Sequence, residues 1–143
     1  MLVLVTGGAG MLGRAIVEQL LQQAHTVRIL DLHALDNHKV ETIIGSVVDF
    51  DTVLNACDGV DVVIHTAARA HVFNEYAEDA LSEYRKTNVE GTLRLAKQAA
   101  KAGVRRFVFI SSIKVNGEST NDSVAFNASS EPLPTDPYGI SKY

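Results

Sequence analysis

The stretch Leu2-Val3-Leu4-Val5-Thr6-Gly7-Gly8-Ala9-Gly10-Met11-Leu12-Gly13 decides how this chain is read. Residues 2–6 form a near-continuous apolar run rich in Val and Leu, the pattern of a strand buried on both faces. Glycines follow at 7, 10 and 13, and Leu12, Ile16 and Leu20 then recur at helical spacing as one apolar stripe. Strand, glycine turn and helix in that order make a phosphate cradle. Gly7 permits the tight turn, Gly10 lets the backbone approach a pyrophosphate, and Gly13 lets the helix pack on the sheet. The helix start adds unpaired N–H groups and the positive end of its dipole.

Outward from this stretch the alternation continues. Residues 27–30 read as a second strand ending at Asp31, and 42–44 as a weaker third. Residues 49–56 read as a short helix with Asp49 as its cap, and 61–65 as another buried strand. A long helix is expected from about Glu78 to Ala102, stopped by Gly103. Residues 107–110 read as a fifth strand, 117–135 as a polar loop, and a last helix opens at Pro137 behind the cap Asp136. Alternating strands and helices predict an α/β fold, a doubly wound parallel sheet with helices on both faces. Ligands bind such sheets at the carboxyl ends of the strands. Thr6, Asp31, His65-Thr66 and Ser111-Ser112 fall there.

Asp31 stands 18 residues past Gly13, where an acid accepts hydrogen bonds from an adenine-ribose diol. It would repel a 2′-phosphate, which favours NAD over NADP, although Arg14 and Arg28 keep NADP open. At the far end, Tyr138-Gly139-Ile140-Ser141-Lys142 places Tyr138 and Lys142 four apart, on one helix face. An ammonium beside a phenol favours the phenolate, a general base for a sugar hydroxyl.

Bulk properties narrow the class. The 143 residues suffice for one cored domain, and 46% are hydrophobic, so the chain is globular. Thirteen basic and seventeen acidic side chains give a net charge of −4 with no basic cluster, which argues against nucleic acid. No apolar stretch reaches membrane-spanning length. Cys57, the one cysteine, has no internal disulfide partner and suits a reducing compartment. The chain is expected in the cytoplasm. His25, His33, His38, His65 and His71 lack close ligand spacing, so no metal site is expected. Cys57 reads as a structural thiol.

The ordered motifs carry a resemblance. Thr6-Gly7-x-x-Gly10-x-x-Gly13, Asp31, Asp61-Val-Val-Ile-His-Thr-Ala-Ala68, Asn88-Val89-x-Gly91-Thr92, Ser111-Ser112-x-x-Val115-x-Gly117 and Tyr138-x-x-x-Lys142 follow one another. Taken together the chain resembles the extended short-chain dehydrogenase/reductases, specifically the NAD-dependent nucleotide-sugar epimerase/dehydratase group. The resemblance implies a Rossmann-type fold with NAD as cofactor. It implies that Gly7, Gly10, Met11, Leu12 and Gly13 hold the pyrophosphate, that Asp31 holds the adenine ribose, and that Ala67 and Ala68 line the dinucleotide. It places Asn88 toward the nicotinamide. Ser112, Tyr138 and Lys142 would be catalytic, with Tyr138 and Lys142 also touching cofactor. Tyr138 would take the 4-hydroxyl proton while hydride leaves C4, and the 4-keto sugar would turn before hydride returns.

Three departures refine this expectation. Family dehydratases carry an acid just after the position of Ser112, where this chain has Ile113 and Lys114, so 4,6-dehydration is disfavoured. Asn116 replaces the usual Tyr, a version resembling enzymes of surface-polysaccharide synthesis that act on UDP-N-acetylhexosamines. Ser46 follows Gly45 where the family often has an Asp against the adenine. The reading is therefore a UDP-sugar 4-epimerase, UDP-glucose 4-epimerase-like. A 4-dehydrogenase or 4-ketoreductase is the nearest alternative, and a non-catalytic dinucleotide-sensing domain stands as an alternative of another class. The resembling enzymes continue far beyond this length. The expectation is thus that residues 1–143 form an incomplete NAD(P)-binding domain of a homodimeric parent, lacking the C-terminal sugar-nucleotide part and weakly active or inactive alone.

Overall fold

A computed structural model of the chain describes residues 1–70, 79–120 and 125–143. Its elements are β1 (Leu2–Thr6), α1 (Met11–Gln22), β2 (Thr26–Asp31), β3 (Glu41–Ile44), α2 (Phe50–Ala56) and β4 (Val62–His65). They continue with α3 (Ala80–Arg85), a π-helical turn (Lys86–Gly91), α4 (Thr92–Lys101), β5 (Arg106–Phe109), a 3-10 turn (Ile113–Val115) and α5 (Pro137–Lys142). The expected helix start at Glu78, and His71, lie outside the described residues.

The five strands form one parallel sheet in the order β3-β2-β1-β4-β5. The order turns at β1, so the carboxyl ends of β1 and β4 flank a crevice, and the register pairs Thr6 with His65 there. Strand pleat divides β1 between two cores. Leu4 joins Leu30, Val53, Val63 and Leu95 beneath α2 and α4. Val3 and Val5 join Val17, Val27 and Ile29 beneath α1. Helices on both faces explain the unbroken apolar strands. Cys57 belongs to the first core, and burial pushes its thiol up to about 11, so it is inert packing.

The long helix of the sequence reading is not one regular helix. The amide of Thr92 turns to Val89 O and its hydroxyl takes Asn88 O at 2.7 Å. Such back-bonding disturbs the regular ladder. Gly91 also presses on the sheet's loop, since a Cβ there would lie 2.8 Å from Val47 Cγ2. β5 runs Arg106–Phe109, one residue earlier than the hydrophobic run suggests.

Candidate active site

The glycine loop leaves β1 at Gly7, whose φ of +71° is left-handed and whose Cβ would strike Ala67 N at 2.7 Å. Gly10 is the N-cap of α1 with no side-chain cap, and no acid sits in the first turn. The first N–H groups of α1 therefore face the crevice without a carboxylate competing for them. Gly13 packs against the loop. A Cβ there would lie 2.1 Å from Gly7 O and 2.7 Å from Gly8 Cα, so α1 rests directly on the turn it follows. Met11 and Leu12 point outward, with Met11 92% exposed, leaving their backbone as what they offer a phosphate.

Gly7, Ala9 and Gly10 open onto a cleft of about 510 Å³, a size suited to a cofactor. Asp31, Ala67 and Ala68 line it. Asp31 also braces the loop: Oδ2 accepts from Ala9 N at 2.9 Å and Oδ1 from His33 N at 3.0 Å. Thr66 and Ser46, singled out by their places at a strand end and at the adenine position, line the same cleft, and so do Leu32, Val47 and Thr87, which were not among the sequence-derived contacts. Thr87 lies on the π-helical turn, which has no sequence signature.

Behind the cleft runs a buried polar chain. The single Thr92 hydroxyl proton goes to Asn88 O, so His65 Nε2 must be the donor of its 2.8 Å bond to Thr92 Oγ1. His65 Nδ1 then accepts from Thr6 Oγ1 at 2.6 Å, and Thr6 Oγ1 accepts from Ala67 N at 3.3 Å. Burial, reinforced by the charge of Lys142, holds the His65 pKa down to about 4, so the ring is neutral near pH 7.

Asn88, which the resemblance places toward the nicotinamide, lies in the interior. It is 2% exposed, and its Nδ2 donates to Arg69 O at 3.0 Å and to Ser141 Oγ at 2.8 Å. Its Oδ1 accepts from Arg69 N at 2.8 Å. Both amide hydrogens are committed within the chain, clamping α5 to the loop after β4. Ser141 Oγ in turn donates to Tyr138 O at 2.8 Å.

α5 starts as its sequence predicts. Asp136 caps Gly139 N, with Pro137 beside it. Burial raises the Asp136 pKa, but the Gly139 N–H and Lys114 outweigh it and the net shift is downward. Lys114 pairs with Asp136 at 3.0 Å and with Glu118. A Cβ on Gly139 would lie 2.7 Å from Lys114 O, so α5 sits tightly on the 3-10 turn. Asp136→Ala is expected to lower stability by about 1 kcal/mol, read as a shift in urea midpoint with unchanged slope.

Ser112 caps the 3-10 turn, its Oγ accepting from Lys114 N at 3.2 Å, which leaves its hydroxyl proton to donate. Tyr138 is half-buried, its ring 6.3 Å from that of Tyr84. Lys142 is 5% exposed, and burial depresses its pKa to about 8. Its Nζ does not meet the Tyr138 hydroxyl; it lies 4.1 Å from the ring centroid of Phe109. Four-residue spacing gave a shared face, while packing decided where the ammonium rests. Among the described residues no group of three or more His, Cys, Asp or Glu side chains could hold a metal. None of their helices is long and apolar enough to cross a membrane.

The family model for the NAD dependent epimerase/dehydratase family matches residues 3–143. A UDP-glucose 4-epimerase of Vibrio cholerae is 40% identical across 98% of this chain and 43% of its own. A short-chain dehydrogenase/reductase superfamily protein from Agrobacterium tumefaciens, solved with bound NAD, is 38% identical with a TM-score of 0.87, over 99% of this chain and 42% of that one. The dTDP-glucose 4,6-dehydratase of Streptomyces venezuelae, solved with NAD, is 34% identical with a TM-score of 0.85, over 99% of this chain and 48% of its own. The chain thus spans less than half the length of these relatives.

Proposed function

The chain belongs to the NAD dependent epimerase/dehydratase family, and from that premise we propose that it serves NAD-dependent 4-epimerisation of a nucleotide sugar. The cofactor is NAD. The uncapped start of α1 suits its pyrophosphate, and the Asp31 carboxylate at the cleft wall suits an unphosphorylated adenine ribose. NAD supplies hydride transfer when bound. The protein's part is orientation and proton movement.

Tyr138 Oη takes the proton from the sugar 4-hydroxyl and returns it. Ser112 donates its free hydroxyl proton to the same oxygen. Lys142, its pKa lowered to about 8 by burial, would donate to hydroxyl groups of the cofactor ribose when NAD is bound. Asn88 and Ser141 fix the helix that carries both groups.

The observation that carries epimerisation over water elimination is the turn after Ser112. Ile113 is 62% exposed and Lys114 is committed to Asp136 and Glu118, so neither is an acid for elimination. The sugar is proposed as a UDP-hexose. A UDP-N-acetylhexosamine 4-dehydrogenase or 4-ketoreductase is the second reading, favoured by Asn116, whose Nδ2 donates to Ser130 O at 3.3 Å. That bond gives the turn after Ser112 a different anchor from a tyrosine. The whole enzyme is proposed to be a homodimer.

Calorimetric titration of the chain with NAD⁺ and NADP⁺ tests the cofactor assignment. Asp31→Ala is expected to weaken NAD⁺ binding at least tenfold and to narrow the preference over NADP⁺. Equal affinity of the unchanged chain for both dinucleotides would overturn it. Turnover separates the two reactions, since a dehydrogenase releases reduced cofactor in step with product and an epimerase does not.

A further inference from the structure

Lys142 poses a problem of charge. It is 95% removed from solvent, and no carboxylate among the described residues pairs with it. A buried ammonium normally has a counter-ion or sheds its proton. What faces it is the ring of Phe109, its centroid 4.1 Å from Nζ, at the carboxyl end of β5. The other elements packed against α5 bring Tyr84 from α3, Asn88 from the π-helical turn and Lys114 from the 3-10 turn. Lys114 is held away by Glu118 and Asp136. Behind Phe109 stands the neutral His65 ring, 5.8 Å between centroids.

Resting on the proposed function above, we propose that Phe109 is a positioning residue whose ring face holds the Lys142 ammonium at the carboxyl end of the sheet. The choice of a ring over a carboxylate has a chemical reason. A carboxylate would take one or two of the three ammonium N–H groups and fix their direction. A ring attracts the cation through its electron-rich face and leaves the N–H groups on the far side free for hydroxyl partners. It also holds the charge without a second buried ion, whose desolvation would have to be offset.

The test is an NMR titration of the lysine Cε–H signals of the cofactor-free chain, with the Lys142 signal assigned from Lys142→Met. Phe109→Leu keeps an apolar group of similar bulk and removes only the aromatic face. Its Lys142 is expected to titrate about one pH unit lower than in the unchanged chain. Phe109→Trp, which keeps a face, is expected to restore the original titration. The proposal is overturned if Phe109→Leu leaves Lys142 unmoved or raises it, or if Phe109→Trp falls as far as Phe109→Leu. Failure of the unchanged chain to bind NAD⁺ would sink the functional reading and leave this titration fully informative about Phe109.

Discussion

Gly13→Ala is expected to unfold more readily by about 2 kcal/mol and to bind NAD⁺ at least thirtyfold more weakly. The new methyl would sit 2.1 Å from Gly7 O and 2.7 Å from Gly8 Cα. Both are backbone atoms of the same tight turn, so no side-chain rotation relieves the clash. Alanine gains up to about 1 kcal/mol of helix propensity over glycine, but overpacking of this kind typically costs 1–3 kcal/mol or more. The clash wins, and its relief requires α1 to lift off the loop. That lift moves the free N–H groups of the first turn, so affinity falls further than stability alone predicts. Urea denaturation and calorimetry on the same preparation measure the two effects. Glu18→Ala, on the exposed face of the same helix, should change neither. Gly13→Ala binding NAD⁺ as tightly as the unchanged chain would show that the loop and helix are not coupled in this way.

The second large effect is on stability as a function of pH. Folded His65 takes its proton only near pH 4, whereas in the unfolded chain it does so near 6.5. Between those values the unfolded state binds more protons, so stability falls as the pH falls. From pH 7 to pH 5 the loss from this one ring is about 2 kcal/mol. Other shifted groups stay outside this window. Lys142 acts above its folded value of about 8, and the depressed carboxylates Asp61 and Asp136 act near and below their ordinary value of 3.8. The urea midpoint should therefore drop between pH 7 and pH 5. His65→Gln, less stable at pH 7, should show a nearly flat profile across the same interval. An equally steep fall in His65→Gln would assign the effect elsewhere.

Much of the scaffold is legible in the sequence because its causes are local. A Val and Leu run followed by spaced glycines leaves few alternatives to a strand, a turn and a helix, and β1 and α1 follow. Asp49 and Asp136 cap α2 and α5 because a short acid before a helical run has one favourable use. What was not legible depends on residues far apart in the chain. The π-helical turn includes Gly91, which packs closely on Val47 from a distant loop. Asn88 meets Ser141 across 53 residues of sequence, a distance no spacing rule spans. The Tyr138 and Lys142 spacing was readable, but the resting place of the ammonium on Phe109 was not, because it is set by strand β5 rather than by α5.

The hydrogen bonds from Ala67 N through Thr6, His65 and Thr92 to Asn88 O run in a fixed sense. Each hydroxyl has a single proton to give, so the direction set at one end dictates the tautomer in the middle and the acceptor at the other. Anyone recombining this chain with a relative therefore inherits a constraint that no pairwise comparison of positions reveals. Thr6, His65 and Thr92 sit on three separate segments but form one heritable character, and a crossover that replaces one of them with a residue of different donor and acceptor pattern leaves the others without their matched partners in the core.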